Sequence, residues 1–387
     1  MKRIPFILWA FLLSLSACIR PELHIPGQDI VVEEPILEAE LDVVVDMETD
    51  WSVDWQYDWD ATDDAIWGGI GYDEPKGYQV RRYFTGKEPD APHTDVEAFA
   101  ITETKFSRHF EFGYYDILFW SDIDSPDGTQ VLVINEGLET VTATTTGTRG
   151  MVRSFSKMAG VRSAEDEPGV IGLKNQPEIF YAAYPENIYI SHNLEDYDYD
   201  PARDVYSAKI ETQMRPLVYI YLIQIVLQNN DGIIKGINGN AAMSGMASGT
   251  CLNTGHTNDE PSTVYFNIRL KHNRLFNDEP CDIIGGKFTT FGLCDMEPQT
   301  RAGSQYNGSR EDLNNYLFFD LIFSNDGVTT FSVDVTDQLQ SQSHGGVVTV
   351  VIDCDKLQTP ETPVTNAGSL FVPSVEDYEE VYWELEL

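Results

Sequence analysis

Residues 205–227 most constrain how this chain can fold. Leu217, Tyr219, Tyr221, Ile223, Ile225 and Leu227 fall on one side of an extended backbone, and Val218, Ile220, Leu222 and Val226 fall on the other. Successive side chains of a strand point to opposite faces. The segment is therefore apolar on both faces, which predicts a central strand covered twice. Strand patterns surround it. Residues 78–84, 96–101, 107–112, 114–120, 130–135 and 139–145 carry strand character before it, as does 177–190, and turn residues such as Asp127-Gly128 and Glu136-Gly137 separate several of them. After it, 263–270, 287–292, 316–323, 329–335, 347–354 and 381–387 read as strands, with Asn325-Asp326-Gly327 as a hairpin turn. Residues 146–177 are rich in Gly, Ser and charge and read as a long loop, with a short helix over 154–159, and the Gly-, Ala- and Ser-rich residues 232–249 read as a loop or a short irregular helix. The result is about seven strands per half, the spacing of β-sandwiches.

Residues 41–59 alternate with period two. Leu41, Val43, Val45, Met47, Trp51, Val53, Trp55, Tyr57 and Trp59 occupy odd positions, and the even positions between are nearly all Asp, Glu, Ser or Gln. This predicts a half-buried strand, or two strands with a bend. Trp51, Trp55 and Trp59 on one face read two ways. They form core, because aromatic rings bury large areas, or they form a partner or sugar-stacking surface.

The N-terminus carries a different signal. Lys2 and Arg3 precede an apolar run over 4–15, and Leu15-Ser16-Ala17 then leads into Cys18. A charged start, a short apolar stretch and small residues make a secretory signal. The run is too short for a spanning helix, which needs about 20 apolar residues. The cysteine after Leu-Ser-Ala resembles a bacterial lipobox. That resemblance implies cleavage before Cys18, a diacylglycerol on its sulfur and acylation of the new amine. Two or more acyl chains anchor stably where one does not. Pro21, Pro26, Gly27 and Pro35, with Glu22, Asp29, Glu33 and Glu34, make the following stretch a flexible acidic spacer.

The expected organisation is a signal peptide over 1–17, an acidic linker over 18–37, an N-terminal β-sandwich domain over 38–203 and a C-terminal one over 204–387. The boundary is placed in the acidic stretch 195–204, which contains Pro201. A body of about 370 residues favours two cores over one. The formal charge is -38, and losing Lys2 and Arg3 with the signal takes it to about -40. Such a surface repels nucleic acid, whose binding needs clustered Lys and Arg. It also repels anionic headgroups, so membrane attachment falls to the lipid on Cys18.

No catalytic constellation stands out. There is no G-x-S-x-G, since Gly245-Met246-Ala247-Ser248-Gly249 places its serine one position late. Among 63 acidic residues no carboxylate pair is informative. No phosphate-binding glycine loop follows a strand. The chain reads as non-enzymatic and without a cofactor. Asp196, Asp198 and Asp200 alternate in a way that suits a calcium site, but Pro201 and Ser207 stand where an EF-hand needs Gly and Glu. A solvated acidic linker is the other reading. Cys251, Cys281, Cys294 and Cys354 form either disulfides, with three possible pairings, or buried thiols. None belongs to a C-x-x-C, which argues against zinc.

The order of features has a counterpart. After the lipobox and spacer come Asp54-Trp55, Gly113-Tyr114-Tyr115-Asp116-Ile117-Leu118 and Pro177-Glu178-Ile179-Phe180-Tyr181-Ala182-Ala183. Arg215-Pro216 opens the long strand, and Phe288-Thr289-Thr290-Phe291-Gly292 and Asp334-Val335-Thr336-Asp337-Gln338-Leu339 follow. The chain closes with Val375-Glu376-Asp377-Tyr378 and a strand to Leu387. This series resembles the fimbrillin-like lipoproteins of Bacteroidota, in the branch of fimbrial anchor and assembly subunits.

The resemblance implies an all-β chain of two tandem transthyretin-like antiparallel β-sandwich domains after a lipoprotein signal peptide. It implies a lipid-anchored outer-membrane protein exposed at the cell surface, with fimbrillin-type subunits as partners through strand addition. It also implies that shaft subunits lose a first strand to an Arg-directed protease while an anchor keeps its own. Arg149 fits such a cleavage site, and equally an ordinary exposed loop arginine. The rival reading is a surface glycan-binding lipoprotein using Trp51, Trp55 and Trp59 or the Tyr-rich residues 181–199.

Overall fold

The computed structural model describes residues 36–43, 55–103, 105–121, 131–134, 141–147, 173–203, 205–298 and 313–360. Cys18, Trp51 and Arg149, the expected helix at 154–159 and the expected strand at 381–387 lie outside these residues. The first part of the chain contributes β1 (Ile36–Val43), α1 (Ala61–Trp67), β2 (Tyr78–Gly86), β3 (Asp95–Ile101), β4 (Lys105–His109), β5 (Gly113–Ser121), β6 (Val131–Ile134) and β7 (Thr142–Thr145). The short strands β8 (Leu173–Lys174), β9 (Tyr181–Ala183), β10 (Ile188–Ile190) and β11 (Asp198–Asp200) lead to β12 (Val205–Pro216). Then come β13 (Tyr219–Gln228), β14 (Ile234–Ala247), β15 (Gly249–Cys251), β16 (Pro261–Phe276), β17 (Glu279–Thr290), β18 (Tyr316–Phe323), β19 (Val328–Asp334), α2 (Thr336–Ser341) and β20 (Gly346–Asp353). The chain is all-β, built of β-sandwiches. Among the described residues no helix is long and apolar enough to cross a membrane.

The first sheet system runs β3-β2-β5-β9-β12-β1-β4, with β10 on β5 and β11 on β12. β12 joins its two layers: residues 207–214 pair with β1, and Arg215 and Pro216 pair with β9. Between the layers lie Val80, Tyr115, Ile117, Phe119, Tyr181, Ile210 and Met214. The second system runs β19-β18-β14-β16-β17-β13-β20. β16 changes partner along its length, from β14 through Asn267 to β17 from Ile268, and so joins the two layers of a second sandwich. Its core draws on Tyr221, Ile223 and Ile225 of β13, Phe266 of β16, Phe288 of β17, Phe319 of β18 and Val348 and Val350 of β20. The sheets are not wholly antiparallel. β1 runs parallel to β12, and β13 runs parallel to β20.

A small third sheet, β15-β7-β6, sits where the two systems meet. There Leu118, Trp120 and Phe180 from the first system pack with Ala143, Leu217, Phe291 and Cys294. β12 pairs within the first system, so the chain crosses to the second at Leu217 and Val218, after the expected boundary at 203–204.

Two sequence expectations are corrected. Residues 232–249 are neither loop nor irregular helix but hold β14 over 234–247, a central strand paired on both edges. Glycine and alanine are poor strand formers, yet here small size is the requirement. The ladder slips between Met243 and Met246, and Gly245 sits in the slip at φ +74. A β-carbon there would lie 2.6 Å from Asn315 Nδ2 and 2.9 Å from Asn314 O. The second correction concerns 41–59. β1 ends at Val43, and residues 55–60 belong to no strand. They lead into α1, where Asp60 caps the N–H groups of Thr62 and Asp63 and the Asp63 carboxylate returns to the Asp60 N–H.

Gly245→Ala is expected to lower stability by about 1–3 kcal/mol, the cost of forcing a side chain into a left-handed, crowded position. A shift of the urea midpoint at unchanged slope checks it, and an unmoved midpoint contradicts the reading of β14.

Candidate functional site

The outer face of β13 and β17 has to be covered, since Ile220, Leu222 and Val226 are fully buried there. Residues 55–73 provide part of this cover. Tyr57 is buried against Val226, Cys281 and Ile283, with Trp55, Trp59 and Trp67 packed around it. Gly285 makes room, because a β-carbon there would lie 2.2 Å from the Tyr57 ring. Gln56 N–H donates to Gln224 Oε1 at 3.0 Å, which satisfies a fully buried amide in the middle of β13. Trp55 and Trp59 stand 6.2 Å apart and Trp59 and Trp67 5.1 Å, all half-buried. Over the described positions 55–59 the odd-position alternation is thus real, but it seats rings on a sheet face instead of pairing at a sheet edge.

Charge fixes the same segment. Asp63 is wholly buried, and its carboxylate lies 2.6 Å from Lys271 Nζ and 3.2 Å from the Arg269 guanidinium. Tyr57 donates to it at 3.1 Å. The Lys271 ammonium sits over the Tyr57 ring, 4.4 Å from its centre, and also donates to the Asp58 carbonyl. Arg274 pairs with Asp58 at 2.8 Å, and Lys287 donates to the Gly69 carbonyl. Burial, with the Asp63 carboxylate, pushes the Tyr57 phenol far above its ordinary range. The Lys271 hydrogen bond and the Thr62 N–H hold the Asp60 carboxyl well below its ordinary range. Burial lowers Lys287. In a chain with 25 basic residues, four of them meet this acidic segment. The alternation signalled the rings, and the Asp60-x-x-Asp63 spacing signalled the helix start. Nothing local signalled Arg269 or Lys271, which arrive from β16.

β1 is the first described strand. It lies between β4, antiparallel, and β12, parallel, paired along both edges. β3, β4, β19 and β20 end the two strand orders.

On the open half of the outer face of β5 stand Tyr114 and Asp116. Tyr189 of β10 lies directly opposite Tyr114, with ring centres 4.6 Å apart. Asp116 accepts from His93 Nε2 at 3.1 Å and from Asn187 N–H at 2.8 Å. Asn187 Nδ2 in turn donates to Asp90 at 3.2 Å.

The three aspartates expected to hold a cation are spread over two elements. Asp196 ends a short 3-10 turn and accepts from Asn193, while Asp198 and Asp200 lie on β11 and Asp200 holds the Ala202 N–H. Among the described residues no group of three or more His, Cys, Asp or Glu is placed to hold a metal. No disulfide joins the four described cysteines; Cys281, Cys294 and Cys354 are buried, and Cys251 is half-buried. Burial pushes the Cys354 thiol up to about 12 and raises Cys281.

No protein-family model and no curated protein matches the chain. Solved structures that resemble it include a "putative adhesin" from Bacteroides ovatus, at 13% identity and TM-score 0.47, covering 85% of this chain and 94% of that one. They also include the fimbrial anchor protein Mfa2 from Porphyromonas gingivalis, at 11% identity and TM-score 0.39, covering 82% and 90%.

Gly285→Val is expected to displace Tyr57 and cost about 1–3 kcal/mol, as overpacking does. A red shift in tryptophan emission with a lower urea midpoint checks it, and wild-type emission contradicts the docking. Acid is expected to act in the same place. A carboxyl held below its unfolded range stabilises above about pH 4 and ceases to as it protonates. Tryptophan emission should therefore hold steady from neutrality to about pH 4 and shift only below it.

Proposed function

We propose that this chain is a lipid-anchored surface protein of the outer membrane, acting as the anchor or assembly subunit of a fimbria without catalysis of its own. The observation that carries the reading is Cys18 behind Leu15-Ser16-Ala17, followed by a proline-rich acidic stretch up to Ile36. Residues 19–35 can span at most about 60 Å when fully extended. They lead into β1, which is paired on both edges. A pull along the tether would then load two rows of backbone hydrogen bonds instead of a loose end. The order of sequence motifs supports the fimbrillin-like assignment. Partner subunits would dock by strand addition, in which main-chain hydrogen bonds give strength and alternate side chains give selectivity. The edge strands β3, β4, β19 and β20 are the places open to it by strand order.

The intact protein captured from native outer membranes is expected to bring fimbrillin-like subunits with it, identified by mass spectrometry. Cys18→Ala should release the protein from the membrane and lose them. Capture of the lipidated protein without any such subunit would contradict the proposal.

A further inference from the structure

The outer face of β5 is divided. Leu118 and Trp120 are covered at the junction of the two sheet systems. Tyr114 and Asp116, further along the same face, are only partly buried. Tyr189 completes this open half and is 52% exposed. Its ring leans on Tyr114 at an interplanar angle of 33°, so Tyr189 covers part of Tyr114 and is the ring that offers an exposed apolar face. Both positions are fixed by backbone pairing, since Tyr189 is the register partner of Tyr114 and its neighbours Ile188 and Ile190 point into the sandwich core. Little side-chain freedom remains to be lost on binding.

Beside the rings is a polar shelf. The Asp116 side chain is 13% exposed and His93 21%. The carboxylate is oriented by donors from His93, from the Asn187 backbone and from the Tyr184 hydroxyl, and a carboxylate offers about four acceptor positions, one more than those three bonds use. Asp90 and Asn187 continue the shelf through their mutual hydrogen bond. A few fixed polar groups beside aromatic faces are the usual make-up of a small-molecule site.

We infer that Tyr114, Tyr189 and Asp116 form a binding subsite for a neutral hexopyranose unit of a glycan. A pyranose ring offers an apolar C–H face to stack on the tyrosines and a rim of hydroxyls to donate to Asp116 and Asp90. The carboxylates on the shelf, in a chain of net charge -38, select against sialylated, sulfated and uronate sugars. Two rings are far smaller than the roughly 800 Å² per partner of a stable protein interface, so a second protein is a poor fit. The subsite is independent of the fimbrial reading and places sugar recognition away from Trp55 and Trp59, which pack on β13 and β17.

The test is a glycan array carrying neutral and anionic hexopyranose oligosaccharides, probed with the intact chain in detergent. Binding to neutral members is expected, weakened about tenfold in Tyr189→Ala, the loss of one stacking contact. Tyr189→Phe should keep it and unfold at the wild-type temperature, and Tyr189→Ala should stay folded, with an unfolding temperature lowered only slightly by the lost cross-strand ring pair. Asp116→Asn should weaken binding while sparing the fold. Binding to no glycan, binding only to anionic members, or neutral binding unchanged in Tyr189→Ala would each overturn the assignment. None of these outcomes touches the membrane capture experiment, so the two readings fail separately.

Discussion

A carboxylate with no access to water holds the outer layer of this molecule in place. Asp63 is buried between Lys271 and Arg269 and takes a third hydrogen bond from Tyr57. Burying a charge is unfavourable unless its partners are well placed. Every group here is bound on more than one side, because Lys271 also reaches Asp60 and the Asp58 carbonyl. The arrangement therefore has little tolerance for a different register. Rings alone would let residues 55–73 slide over the apolar face of β13 and β17, whereas the ion cluster gives them one position.

That position ties distant parts of the chain together. β1 belongs to the first sheet system, while the segment beginning at Trp55 lies on the second. The two systems share a further core of Leu118, Phe180, Leu217 and Phe291 around the small third sheet. The crossing from β12 to β13 is buried there and is not a free linker, since Leu217 and Val218 are almost wholly inaccessible. The body is thus joined in at least two places. The same junction covers Leu118 and Trp120 on the outer face of β5 and leaves Tyr189 beyond them exposed.

Much of the fold could be read from side-chain period. The double-faced apolar run at 217–227 became β13, and the segments at 78–84, 114–120, 316–323 and 347–354 became strands within a residue or two. The hairpin at Asn325-Asp326-Gly327 joins β18 to β19, with Asp326 at φ +69. β14 escaped because its pattern is small residues, which say loop locally but serve close strand approach in the folded protein. The 55–59 alternation was legible as a buried face and illegible as to what covers it, because period two does not separate edge pairing from docking on a face. The ion cluster escaped for a related reason. Asp63 and Lys271 are 208 positions apart, and nothing near either one announces the other. The tyrosine platform joins β5 and β10, so it too depends on a pairing that local pattern does not carry.

The most direct measurement is a double-mutant cycle on the buried pair, using Asp63→Asn, Lys271→Met and the double variant in urea unfolding. A coupling energy of about 1–3 kcal/mol between the two positions is the expected result for directly interacting residues. The single changes should each cost more than the same truncation at the exposed Asp58–Arg274 pair. Additivity within about 0.5 kcal/mol, the behaviour of independent sites, would contradict the claim that this pair locks the 55–73 segment onto the second sandwich.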